Sequence, residues 1–173
     1  MPKRMITGLF LLFLLTSHLD GGVYLEKPED FNPKYTVVGC CYLHYQDKIL
    51  LLHRRDNKAE GNRWGIPGGK ICKGEPLLEA TIREVAEETG YSLHPEYVHH
   101  IATLYIRVPN FDFQYHMFDY QQEITAPGEV KINFAEHKGF TWVTPQDALS
   151  MNLITDEDVC LEITFGLTRT KIK

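Results

Sequence analysis

The feature of this sequence that most restricts its fold is a segment predicted to form one amphipathic helix over residues 76–89. The segment begins with proline, which suits the first position of a helix because no backbone N–H is needed there. Leu78, Ile82 and Val85 recur at helical spacing and predict one buried apolar face. Gly90 follows, and glycine most readily takes the left-handed conformation that ends a helix. The pattern therefore indicates a helix that packs one face on a core.

The opposite face of this helix carries Glu84, Glu87 and Glu88, which helical spacing brings onto one side. Like charges one turn apart destabilise a helix by about 0.2–0.5 kcal/mol per pair, and the helix dipole disfavours negative charge near the C-terminus. A hard divalent cation would compensate, because magnesium binds oxygen ligands. A solvated acidic face is the alternative. The glycine turn at 68–69, followed by Lys70, favours the cation, since glycine lets the backbone approach a ligand closely.

Seven residues on and before the helix follow the pattern G-x5-E-x7-R-E-U-x-E-E-x-G-U, in which U is a bulky apolar residue. They are Gly69, Glu75, Arg83, Glu84, Glu87, Glu88 and Gly90. On this motif, the Nudix box, the chain resembles the Nudix hydrolases. The resemblance implies an α/β fold, an α/β/α sandwich around a mixed β-sheet, in which the box forms a loop, a helix and a second loop.

The resemblance also implies a metal-dependent hydrolase that uses Mg²⁺ or Mn²⁺. Its substrate would be a nucleoside diphosphate linked to another moiety, as in a nucleoside polyphosphate, a nucleotide sugar or a dinucleotide. Four groups are implied to bind the metal: the carboxylates of Glu84, Glu87 and Glu88, and the carbonyl oxygen of Gly68. Arg83 is implied to orient the glutamates, and the loops of the box are shaped by Gly69, Glu75 and Gly90.

A carboxylate must take a proton from the attacking water in such a reaction. Glu84 is the first choice for this base because it lies beside the implied metal ligands. Many members of the family use a glutamate on a later loop instead, either as the base or as a metal ligand. Glu136, six residues before Trp142, fits that position. An ordinary exposed loop residue is the alternative interpretation of Glu136.

The substrate contacts are predicted from residues near the glycine turn. Arg54 and Arg55 end a predicted strand that lies beside this turn in family members, so one of them is expected to bind phosphate. Lys70 is a further candidate for substrate binding. Trp64 is a candidate to stack on a base, and the other candidates are aromatic residues of the second hairpin: Tyr105, Phe111, Phe113, Tyr115, Phe118 and Tyr120. A solvated loop arginine and a core aromatic residue are the respective alternatives.

The remaining sequence is predicted to form a single domain over residues 24–173. The expected strands cover 35–45, 48–53, 98–108, 111–123 and 140–143, and further helices are expected at 145–149 and from about residue 156. The turn of the second hairpin is placed at Pro109 and Asn110. Thr155 and Asp158 are expected to cap the last helix.

Residues 1–23 form an apolar N-terminal segment whose run from Ile6 to Leu15 is shorter than the roughly 20 residues of a membrane span. Three interpretations stay open: a secretion signal or membrane anchor, an extension packed on the domain, or translation that begins at Met5 or later. The four cysteines form no CxxC pair and are expected to be buried thiols in a reducing compartment. Together with the implied function, they favour a cytoplasmic location.

The chain has 18 basic and 23 acidic residues, for a formal charge of −5. Such a surface repels phosphate backbones, so we expect a small-molecule nucleotide as partner rather than nucleic acid or a membrane, and a homodimer stays open. A non-enzymatic, nucleotide-binding sensor with the same fold is the alternative function. It would predict a decayed box, as would an isomerase of isopentenyl diphosphate, whereas this box is complete.

Overall fold

The computed structural model describes residues 22–108 and 111–167, with the backbone alone at residues 34–36. The chain forms eight strands, three helices and a 3₁₀ turn at Pro95–Tyr97 within these ranges. The elements are β1 (Gly22–Tyr24), β2 (Pro33–Tyr45), β3 (Lys48–Arg54), β4 (Trp64–Gly65), β5 (Gly68–Lys70), α1 (Leu77–Thr89), β6 (Val98–Val108), β7 (Phe111–Glu123), β8 (His137–Val143), α2 (Pro145–Ala148) and α3 (Glu157–Phe165). Most of the predicted N-terminal segment and the turn at Pro109 and Asn110 lie outside the described residues.

The strands form one mixed sheet around β2. Strand β2 pairs in parallel with β7, and antiparallel with both β3 and β5. The long hairpin of β6 and β7 extends the sheet on one side and carries β1 at its edge. On the other side β3 pairs with β4 and β8. The predicted bounds of the hairpin strands are confirmed, and so is the expected mixed sheet of an α/β fold.

Two hydrophobic clusters cover the two faces of the sheet. Ile49 and Leu51 belong to the cluster that contains Leu161 of α3, whereas Leu50 and Leu52 belong to the cluster that contains Val85 of α1. All four residues of this run in β3 are buried, because side chains alternate between faces along a strand and both faces are covered. The sheet is thus enclosed between α1 and α3.

Helix α1 follows the predicted pattern with a shift of one residue at its start. Pro76 lies at the N-cap with extended backbone angles, φ −61° and ψ 136°, so it precedes the helix instead of occupying its first position. The expected C-terminal cap is confirmed, since Gly90 has φ 77° and donates its N–H to the carbonyl of Ala86. Val85 is buried on the face turned to the sheet. Glu84, Glu87 and Glu88 therefore lie on the last two turns of a helix that ends at a glycine cap.

Two expectations about single residues are wrong. The predicted side-chain cap of α3 is one of them: Asp156, in the left-handed region at φ 66°, precedes α3 without a side-chain cap. The Thr155 hydroxyl instead hydrogen-bonds to Glu60 and Arg63 of the polar loop between β3 and β4, residues 55–63. Cys72 is exposed, while the other three cysteines are buried, because it lies in the loop between β5 and α1. Among the residues described, none of the helices has the length and apolar character required to cross a bilayer.

Glu157 at the start of α3 is a buried carboxyl beneath the sheet, with 1% of its surface exposed. The hydroxyls of Tyr42 and Tyr115 donate to its two oxygens at 3.4 and 3.5 Å. Burial raises the pKa of Glu157 to about 8 against these two hydrogen bonds, because the charged form loses its hydration. The folded protein therefore holds a proton on Glu157 that the unfolded chain releases near the ordinary value of 4.5.

Because the pKa of Glu157 is raised in the folded protein, we expect its contribution to the free energy of unfolding to be lost as pH rises. Between pH 4.5 and about 8 the folded state binds more protons at Glu157 than the unfolded state does, so the free energy of unfolding falls with pH in that window. Glu157→Gln removes the titrating group and is expected to flatten this dependence, as measured by urea denaturation at several pH values. Equal pH slopes for the two proteins would contradict the prediction.

Candidate active site

A cavity of about 490 Å³ opens between the glycine turn, strand β2 and helix α1. This volume is in the range of small-molecule sites. Three acidic and three basic side chains line it: Glu84, Glu88, Glu136, Arg54, Lys58 and Lys70. Apolar side chains, among them Val38, Ile66, Tyr115 and Ile154, line it as well. The cavity therefore combines groups suited to a cation, to phosphate and to an uncharged ring.

The glycine turn allows this close arrangement. Gly68 has φ 157°, and a Cβ there would overlap the carbonyl oxygen of Gly39 and the Cα of Cys40 on β2. A Cβ on Gly69 would overlap the carboxylate of Glu84. Two glycines thus let β5 lie directly on β2 while a glutamate of α1 packs against the backbone of the turn.

Glu88 is the most buried of the three helix glutamates, with 5% of its surface exposed. Its Oε2 accepts the N–H of Gly68 at 2.8 Å, and its Oε1 lies 3.7 Å from Nε2 of His137. Burial raises the pKa of the Glu88 carboxyl to about 8 against the hydrogen bond from Gly68, and the negative charges of Glu136 and Glu84 raise it further. A positive charge in the cavity would stabilise the ionised form.

Arg83 organises the acidic residues around it. Its Nε and one terminal nitrogen bind both oxygens of Glu75 at 2.8 and 3.0 Å, in the bidentate geometry that favours arginine. The other terminal nitrogen binds Glu84 at 2.8 Å and Glu87 at 3.3 Å. The hydrogen bonds from Arg83 to Glu75 lower the pKa of the Glu75 carboxyl to about 2. One side chain therefore ties the loop that precedes α1 to the helix and orients Glu84.

The structure brings the predicted metal ligands together only in part. Glu84, Glu88 and Gly68 line the cavity, whereas Glu87 lies outside the lining on the exposed side of Arg83. In the described part of the chain, no three carboxylate, imidazole or thiol side chains converge closely enough to hold an ion together. The donor set still suits a hard divalent cation, since Glu84, Glu88 and Glu136 supply oxygens to one cavity around a buried carboxyl.

The predicted substrate contacts divide into two groups. Arg54 and Lys70 line the cavity. Arg55 instead donates to the carbonyl of Phe134 at 3.0 Å, so it anchors the loop that carries Glu136. Trp64 stacks on the ring of His53 with centroids 4.2 Å apart, outside the cavity lining. Arg55 and Trp64 are thus placed away from a ligand in this cavity.

The sequence analysis missed two nitrogen-bearing side chains that line the cavity, Lys58 and His137. Lys58 lies in the polar loop after β3, and nothing in its sequence context distinguishes it from a solvated lysine. His137 begins β8 and is 2% exposed. Burial lowers its pKa to about 4, and the positive charges of Arg54 and Lys58 act in the same direction. Because His137 directly follows Glu136, a predicted site residue, the sequence analysis could have named it as a further candidate.

Comparison with known proteins agrees with this geometry. The model of the NUDIX domain family matches residues 33–161. A putative 8-oxo-dGTP diphosphatase of Bacillus subtilis (strain 168) is 32% identical over 108 residues, which cover 60% of this chain and 62% of that protein. Putative nudix hydrolase 1 of Caenorhabditis elegans is 30% identical over 95 residues, or 45% of this chain and 26% of that protein. The chain thus matches less than two thirds of the length of these curated relatives.

Solved structures show the same fold. The MutT protein of Methanosarcina mazei Go1 superposes with a TM-score of 0.65 at 24% identity, covering 79% of this chain and 96% of that one. The NUDIX domain of Shewanella oneidensis NrtR, solved in complex with ADP ribose, gives a TM-score of 0.63 at 23% identity, with coverages of 80% and 91%. The α/β fold predicted from the sequence is therefore confirmed.

The tight contact between Gly68 and β2 predicts that this position accepts no side chain. Gly68→Ala forces a Cβ into the backbone of β2 and is expected to lower the free energy of unfolding by about 1–3 kcal/mol, the usual cost of such backbone strain. Chemical denaturation measures the loss. Gly128→Ala is the matched control, because a Cβ at Gly128 meets no atom within 4 Å. Equal losses in the two variants would show that the turn tolerates a side chain.

Proposed function

This chain belongs to the Nudix family, and we propose that it is a metal-dependent Nudix hydrolase that cleaves the diphosphate linkage of a nucleoside di- or triphosphate. The family match over residues 33–161 supports the reaction class. The similarity to a putative 8-oxo-dGTP diphosphatase supports the substrate class, since that name describes a nucleoside triphosphate. Mg²⁺ or Mn²⁺ is the proposed cofactor.

One observation carries this proposal: carboxylates and cationic side chains line the same cavity beside the glycine turn. Glu84, Glu88 and Glu136 would hold the metal ion, with the carbonyl of Gly68. Glu87, which lies at the edge of this group, would join them after a change of its side-chain rotamer. When bound, the ion would supply screening of the diphosphate charge and a lower pKa for the attacking water.

The cationic side chains of the cavity are proposed to bind the phosphates of the substrate. Arg54, Lys58 and Lys70 would bind phosphate oxygens, because each lies on the cavity wall. Arg54 is already oriented by a hydrogen bond of 2.9 Å from its Nε to the carbonyl of Ala59. The apolar side chains of the lining, such as Tyr115 and Ile154, would contact the base. The substrate would thus lie across the cavity, with its phosphates toward the glycine turn.

The water proton needs an acceptor within the cavity. Glu84 is the proposed base, since its carboxylate is fixed against the turn by Arg83 and Gly69. Glu136 is the alternative base, and its loop is held by a hydrogen bond from the Arg55 N–H to its own carbonyl oxygen. Both carboxylates line the cavity, so comparison of their variants distinguishes the two roles.

The proposed cation site predicts that Mg²⁺ raises the melting temperature. A ligand at 100 times its dissociation constant stabilises the folded state by about 2.7 kcal/mol. Glu88→Gln keeps an oxygen for the Gly68 N–H but removes a charge, so it is expected to weaken this response in a thermal-shift titration. Glu79→Gln, at an exposed position on the same helix, serves as the control and should respond like the wild type. Identical responses of wild type and Glu88→Gln would refute the cation site.

The proposed base predicts a large loss of turnover in Glu84→Gln. Removal of a general base typically costs about 10²–10⁴-fold in rate, and we expect a loss in that range for kcat with nucleotide binding largely retained. The measurement is phosphate or pyrophosphate release from a panel of nucleoside di- and triphosphates, nucleotide sugars and dinucleotides. A larger loss in Glu136→Gln than in Glu84→Gln would assign the base to Glu136. Nucleotide binding without turnover by the wild type would favour the non-enzymatic sensor.

A further inference from the structure

His137 is a buried imidazole that no part of the proposed reaction uses. It lines the cavity, yet only 3% of its side chain is exposed. Among the side chains that the structure describes, its Nδ1 is the one buried nitrogen or oxygen that lacks a hydrogen-bond partner. A polar group placed this way reduces stability, so its position calls for an explanation.

An irregularity in β8 turns this side chain toward α1. Gly139 lies opposite His53 and His137 lies opposite Arg54, so Lys138 is an extra residue on β8. Strict alternation would place His137 on the face of Gly139, away from the glutamates. The bulge places it instead on the face of Arg54, and bulges next to active sites commonly re-aim a side chain in this way.

The face that His137 joins is the one covered by α1. Leu50 and Leu52 of β3 lie opposite Trp142 and Phe140 of β8, and all four pack in the cluster that contains Val85 of α1. Residues that lie directly opposite on neighbouring strands share a face of the sheet. Helix α1 carries Glu88, three residues after Val85, at the edge of this contact.

The position of the imidazole proton follows from its surroundings. A buried N–H without an acceptor is rarer in proteins than an acceptor without a donor. The unpartnered Nδ1 is therefore the acceptor nitrogen, and the proton lies on Nε2, 3.7 Å from Oε1 of Glu88. Hydrogen bonds within active sites are often long in the resting protein and shorten in the working complex. Oε1 is also the Glu88 oxygen that does not accept the N–H of Gly68, so it is the oxygen that can accept from Nε2.

We propose that His137 is a positioning residue that fixes the Glu88 carboxylate between its own Nε2–H and the N–H of Gly68. The proposal rests on the proposed function, since the oriented carboxylate is the one that would bind the cation. His137 touches neither the cation nor the substrate in this role. Outer hydrogen-bond partners of metal ligands typically contribute about 10–100-fold to metal affinity or activity, so this is the expected size of the effect.

The test compares variants that keep or remove the donor. His137→Phe retains the ring volume and is expected to weaken Mg²⁺ binding by about 10–100-fold in a thermal-shift titration and to lower kcat more than it changes KM. His137→Gln places an amide N–H near the position of Nε2 and should recover most of the affinity. His116→Phe is the matched control, because it removes a half-buried imidazole outside the cavity lining, and its Mg²⁺ affinity should equal that of the wild type.

A second measurement needs no variant. Nitrogen-15 NMR of the wild-type protein without added metal should find the His137 proton on Nε2. A proton on Nδ1, or Mg²⁺ affinity in folded His137→Phe equal to that of the wild type, would overturn the proposal. If His137→Phe does not fold, the position of the His137 proton in the NMR experiment is the test of the proposal. Failure of the wild type to bind Mg²⁺ or to hydrolyse any nucleotide would contradict the proposed function instead, and the NMR result would still test His137.

Discussion

The hydrogen bond from the Gly68 N–H to the Glu88 carboxylate joins the two halves of the site. It ties the turn at the start of β5 to the last turn of α1, and so it fixes Glu88 against the glycine turn. The bond requires a glycine turn that lies directly on β2, and it draws a carboxylate into a place where 5% of its surface remains exposed. A buried charge of this kind is stable only with partners. In the proposed function, a cation would be the further partner of this carboxylate.

Arg83 offsets the repulsion between the other glutamates of α1. Three carboxylates near the C-terminal half of α1 repel one another and oppose the helix dipole. The guanidinium binds Glu75, Glu84 and Glu87 together, so it offsets the repulsion between Glu84 and Glu87. Glu88, which Arg83 does not reach in these contacts, is left to the cavity. Arg83 thus holds Glu84 and Glu87 next to Glu75 of the preceding loop, whereas the backbone N–H of Gly68 holds Glu88.

The sequence predicted the local elements well because they depend on short-range patterns. Gly90 ends α1 as expected, and the apolar run in β3 is buried on both faces. The predictions that failed concern side chains whose positions depend on contacts distant in sequence. Thr155 bonds to Glu60 across the fold instead of capping its own helix, and Trp64 stacks on His53. His137 depends on one extra residue in β8, which an alternation pattern does not reveal.

The two buried glutamates show why a shifted pKa does not identify a site without its geometry. Burial raises the pKa of Glu88 and of Glu157 to about 8 alike. Glu157 accepts from the uncharged hydroxyls of Tyr42 and Tyr115 and lies outside the lining of the cavity at the glycine turn, so its proton belongs to the folded structure. Glu88 lines a cavity together with other carboxylates, and a backbone N–H holds it in an orientation suited to the ionised form. The same shift is therefore found at a structural carboxyl and at a carboxyl that is proposed to bind a cation.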